Sequence, residues 1–131
     1  MTDQATLDPQ AMLVGQRVLL VEDEMILALD LHDIVESFGC IPTNVSRISK
    51  ALQLISAQAF DVAILDLNLA GEKVYPVADE LGRRGIPFIF TTGYGEEGVL
   101  GPYRHNIILA KPYTRLEVQA ALLKVLGAIT P

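Results

Sequence analysis

Four short apolar runs in this chain each give way to a polar residue: VLLV to Glu22 and Asp23, VAIL to Asp66, FIF to Thr91 and Thr92, and IILA to Lys111. Unbroken Val, Ile, Leu and Phe runs of this length read as strands of a parallel sheet covered on both faces. In open α/β sheets, ligands bind outside the carboxyl ends of the strands. The pattern therefore predicts that three carboxylates, a hydroxyl and an ammonium, far apart in sequence, meet along one sheet edge.

The intervening segments have helical spacing. After a strand over about Arg17 to Val21, residues Leu27, Leu31, Ile34, Val35 and Phe38 form one apolar stripe, with Asp30, Asp33 and Glu36 opposite and Gly39 as a left-handed cap. Ile41 to Val45 reads as a short second strand, followed by a helix capped by Ser46 with Ile48, Leu52 and Ile55 inward. Val62 to Leu65 is the third strand, and Val74, Val77, Ala78 and Leu81 form the stripe of a third helix that ends at Gly85. Pro87 to Thr91 is the fourth strand, its proline confined to the first position. Residues 95 to 105 hold Gly95, Gly98, Gly101 and Pro102, so any helix there is short or frayed. Thr114 and Glu117 spell a capping box for a last helix reaching about Leu126. Five alternating βα units with right-handed crossovers predict an α/β fold, a doubly wound five-stranded parallel sheet in the order 2-1-3-4-5.

At 131 residues the chain suits one domain, read as a polar lead-in over residues 1–15 and a core domain over 16–128 with no output domain after it. Half of the residues are apolar, yet no run nears the roughly 18 to 20 that a spanning helix needs, so no membrane insertion is expected. MTDQATLDPQ lacks a basic start, which makes a cytoplasmic location the default. The net charge of −6 argues against a nucleic-acid partner. Cys40 reads as a small packed hydrophobe, Arg83 and Arg84 as a solvated helix end, and His32 and His105 have no ligand spacing for zinc.

Glu22, Asp23 and Asp66 would repel one another unless protons or a cation joined them. An all-oxygen pocket with room for water suits Mg²⁺. With the acids neutralised, one aspartate can attack phosphorus and become an aspartyl phosphate. Lys111 would then pair with one phosphoryl oxygen and a threonine hydroxyl would bond another.

These residues carry a family resemblance. VLLVEDE, FDVAILDLNL, TTGYG and AKPY resemble the signature positions of the CheY-like receiver domain of two-component response regulators, a flavodoxin-like (βα)5 fold, over roughly residues 16 to 128. The resemblance implies that Asp66 accepts phosphate from a sensor histidine kinase or a histidine phosphotransfer protein. It implies Mg²⁺ held by Glu22, Asp23, Asp66 and the backbone carbonyl of Asn68. Thr92, followed by Gly93, matches the switch hydroxyl better than Thr91 does. Lys111 matches the phosphate-pairing lysine, with a cis bond to Pro112. Such a domain is no enzyme toward a separate substrate; it catalyses only its own phosphorylation and dephosphorylation, and signals by protein–protein contact or drains a kinase as a phosphate sink.

The chain also departs from the common receiver pattern. LNLAGE has Ala70 where many receivers have proline, which leaves the loop's rigidity unexplained. Ile108 stands where the usual switch aromatic lies, three positions before the lysine. PFIFTTGYG instead resembles the motif of the stand-alone FATGUY receivers of alphaproteobacteria, which makes Tyr94 the candidate signalling aromatic. Two alternatives share parts of this pattern. An aspartate-nucleophile Mg²⁺-dependent phosphatase would normally carry a second acid where Asn68 stands, and a phosphorylation-independent interaction module would not need the acids, hydroxyl and lysine together.

Overall fold

Side chains alternate across a strand, so each apolar run supplies two cores at once. The computed structural model describes residues 8–93 and 101–127. Its sheet strands are β1 (Arg17–Val21), β2 (Ile41–Val45), β3 (Val62–Asp66), β4 (Phe88–Thr92) and β5 (Ile108–Ala110), all parallel in the order β2-β1-β3-β4-β5. This is the five-stranded doubly wound, flavodoxin-like arrangement. The helices are α1 (Met25–Ser37), α2 (Ile48–Ala57), α3 (Tyr75–Arg83) and α4 (Arg115–Val125).

Val18, Leu20, Ile64 and Ile89 point to one face, where Leu31 and Val35 of α1 and Val118 and Leu122 of α4 cover them. Leu19, Val21, Leu65 and Phe90 point to the other face, under Ala51 and Ile55 of α2 and Val77, Ala78 and Leu81 of α3. Every residue of β3 and β4 is buried, whereas β2, on an edge, buries only Val45. The central strands therefore carry the acid and threonine tips, Lys111 follows the edge strand β5, and the core on both faces holds these tips in register.

Local expectations are met at most ends and revised at some. Gly39 has φ +89 after α1, and Thr114 and Glu117 exchange both capping-box hydrogen bonds at α4. Ser46 does not cap α2: the helix begins one residue later than its position implies, behind Arg47, with no side-chain cap. Strand β4 runs one residue further than its sequence pattern suggests, to Thr92. Of the glycine-rich stretch, residues 94–100 lie outside the described residues, and Gly101–Tyr103 makes one 3-10 turn. Tyr103 from that turn stacks on Tyr75, ring centroids 5.3 Å apart, while its hydroxyl donates to the Asp79 carboxylate.

The opposite sheet edge is closed by a reciprocal pair of hydrogen bonds. Asp61 accepts from the Arg17 N–H at 2.8 Å through its side chain and donates its own N–H to Arg17 at 2.8 Å. The lead-in contributes to the core as well. Pro9–Leu13 forms a 3-10 helix capped by Asp8, and Leu13 is fully buried against the α1 and α4 core. Deleting that side chain leaves a cavity, so Leu13→Ala should lower unfolding stability by about 3 kcal/mol in urea titration. An unchanged midpoint would mean that the turn is only draped over the domain.

Candidate functional site

Register brings the polar tips together. Val21 of β1 lies beside Leu65 of β3, so the next residues, Glu22 and Asp66, adjoin. Asp66 pairs with Thr91, Thr92 pairs with Ala110, and the Lys111 N–H donates to the Thr92 carbonyl at 2.8 Å. A carboxylate oxygen from each of Glu22, Asp23 and Asp66 falls within 4.8 Å of the others. Glu22, Asp66, Thr91 and Thr92 are buried, and Asp23 is exposed.

The Lys111 Nζ sits between two of the acids, 3.1 Å from Glu22 Oε1 and 3.3 Å from Asp66 Oδ2. Two backbone amides orient the rest. Glu24 N–H donates to Glu22 Oε2 at 3.0 Å, and Ala70 N–H donates to Asp23 Oδ2 at 3.1 Å. The bond between Lys111 and Pro112 is cis.

One ammonium among three acids leaves the pocket negative. Burial first, and then the Glu22 charge, push the Asp66 carboxyl up to about 7, even though Lys111 draws it down. Burial opposes the charged form of Lys111, yet the Asp66 and Glu22 charges win and hold its ammonium above the ordinary lysine value. Tyr113, two residues on, is pushed up to about 12 by burial and by the charges of Glu22, Asp30 and Asp66, so its phenol stays protonated. An excess of oxygen donors and negative charge at the carboxyl edge fits a hard divalent cation such as Mg²⁺ in both charge and donor chemistry.

The structure thus brings together Glu22, Asp23, Asp66, Thr91, Thr92 and Lys111. Asn68 follows in a two-residue ladder with Lys73, while Tyr94 lies outside the described residues. Sequence reasoning passed over the Ala70 amide. Its signal was the small pair Ala70-Gly71 between LNL and EKV, a turn rather than a lost proline.

The fold and this acid–lysine edge are those of a receiver module, and the chain belongs to the response regulator receiver family of two-component systems. SdrG from Sphingomonas melonis Fr1 is 37% identical with a TM-score of 0.73, the match covering 88% of this chain and 96% of that one. The phyllosphere-induced regulator PhyR of Methylorubrum extorquens is 31% identical over 118 residues, which span 86% of this chain and 44% of PhyR. The receiver domain of sensor histidine kinase PA1611 from Pseudomonas aeruginosa PAO1, solved with a magnesium ion coordinated in its active site cleft, is 27% identical with a TM-score of 0.73, covering 87% of this chain and 99% of that domain. The chain spans half or less of the length of the curated relatives it matches. No family model matches it.

Asp66 also ties stability to pH. Its folded-state value of about 7 lies above the ordinary 3.8, so its contribution is fully present below about pH 4 and is lost as pH rises through about 7. In metal-free buffer, the Tm of Asp66→Asn should gain on that of the wild type across this interval. A constant difference between the two melting curves would contradict a strained Asp66 carboxylate.

Proposed function

We propose that Asp66 is the phosphoacceptor of a receiver that takes its phosphoryl group from a sensor histidine kinase or a histidine phosphotransfer protein. The observation that carries this reading is the single ammonium of Lys111 set between Glu22 and Asp66 at 3.1 and 3.3 Å in a pocket of three acids. In the transfer, an Asp66 oxygen forms the new P–O bond as the P–N bond to the donor imidazole breaks, and that imidazole leaves with the electron pair. Lys111 exchanges a carboxylate partner for a phosphoryl oxygen, and the Thr92 hydroxyl bonds another. Glu22, Asp23, Asp66 and the Asn68 carbonyl would hold Mg²⁺, which when bound offsets the charge of the acids and of the phosphoryl group. SdrG, most of whose length this chain matches, supports a signalling role over a catalytic one.

Donor access has a physical basis. Met25, Ile26 and Leu29, 60 to 78% exposed on the first turns of α1, follow directly from Asp23 and give a donor domain an apolar foothold beside the acids. The phosphorylated form would act through protein–protein contact, or would drain a kinase of phosphate. No helix among the described residues is long and apolar enough to cross a membrane, in keeping with a cytoplasmic partner exchange.

Acetyl phosphate with Mg²⁺ should add one phosphoryl group by intact mass, and either chelation by EDTA or Asp66→Asn should abolish the addition. Labelling of the Asp66→Asn protein at wild-type level would move the acceptor elsewhere. Asp23→Asn should weaken Mg²⁺ binding by about tenfold while raising metal-free stability, because it removes a ligand and a repulsive charge together. Unchanged affinity together with unchanged melting would overturn the assignment of Asp23.

A further inference from the structure

The segment after Asp66 is a tight hairpin. Asn68 and Leu69 pair antiparallel with Lys73 and Glu72, and the two residues between them have positive φ, +49 at Ala70 and +87 at Gly71. Two consecutive positive φ values mark a type I′ turn, which suits glycine at both positions and strains alanine. The hairpin is well rooted: Leu67, Leu69 and Val74 are buried, Leu67 N–H donates to the Thr91 carbonyl at 2.9 Å, and Val74 N–H donates to the Leu67 carbonyl at 2.9 Å. Its tip sends the Ala70 N–H to Asp23 Oδ2 at 3.1 Å, across 47 residues of sequence. Proline at this position could not make the bond, since it has no N–H and its φ is fixed near −65°.

Asp23 is exposed and joins two buried acids that repel it. The Ala70 N–H is a directed contact that holds its carboxylate at the cluster against that repulsion. We propose that Ala70 is a positioning residue of the metal pocket, its backbone amide holding the Asp23 carboxylate ready for Mg²⁺ through a turn that replaces the proline of other receivers. The inference rests on the reading of Glu22, Asp23 and Asp66 as Mg²⁺ ligands. A ligand already oriented loses less freedom on binding, and Mg²⁺ tolerates little departure from its preferred geometry. Contacts that orient a ligand in this way are worth about 10- to 100-fold in metal affinity.

The test is a backbone ester at position 70, with L-lactate in place of alanine, which removes the N–H while keeping the methyl group. Mg²⁺ titrations followed by NMR should show about tenfold weaker binding in the ester protein. Ala70→Gly, which keeps the N–H and relieves the positive φ, should bind within about twofold of wild type. In an Asp23→Ala background the ester should cost nothing further. Wild-type affinity in the ester protein, or an equal loss with and without Asp23, overturns the inference alone. A wild-type chain that binds no Mg²⁺ overturns the metal reading and the inference with it. Hydrogen exchange gives a metal-free check: protection of the Ala70 amide should fall about tenfold in Asp23→Ala. Undiminished protection would overturn the inference even if the ester protein failed to fold.

Discussion

The site depends on negative charge that is buried and only partly compensated. Glu22 and Asp66 are taken out of water at adjoining strand ends, and the Lys111 ammonium lies between them. Burying a charge without a partner costs far more than a packed apolar residue returns, so Lys111 is a condition for the pocket as much as a member of it. Yet one ammonium cannot satisfy three acids, and the carboxyl of Asp66 responds by holding its proton up to about 7. A pocket in that condition favours whatever brings positive charge or removes an acid's negative charge.

The rest of the molecule keeps this unfavourable edge in place. Both faces of the sheet are covered, so the strand ends cannot splay to relieve the repulsion. At the other edge the Arg17 N–H donates to the Asp61 carboxylate and the Asp61 N–H donates to the Arg17 carbonyl, and Leu13 is buried in the core that α1 and α4 share. Stability is concentrated away from the chemistry, in keeping with the general rule that functional strain persists only where the surroundings over-determine it.

The fold was largely legible because period-2 burial on both faces leaves a dense apolar run, and such runs end within two residues of the strand ends. VLLV and VAIL located β1 and β3, and the Thr114 and Glu117 spacing located the start of α4. The convergence of Glu22, Asp23, Asp66 and Lys111 was legible for the same reason: it follows from parallel register alone. Ser46 misled because a good capping side chain competes with the path by which the chain leaves β2, and tertiary packing set the helix start behind Arg47 instead. The anchoring of Asp23 was not legible. A backbone N–H belongs to every residue except proline, so its use is invisible until the turn that aims it is known.

That turn bears on how such a loop can vary. Stiffness supplied by a proline ring resides in one side chain and disappears with it. The shape of the Ala70–Gly71 turn resides instead in handedness, which glycine, asparagine or aspartate can also adopt. Substitutions that look disparate in an alignment would then leave the loop's shape intact, while a change to proline, ordinary elsewhere among receivers, would be the disruptive one here.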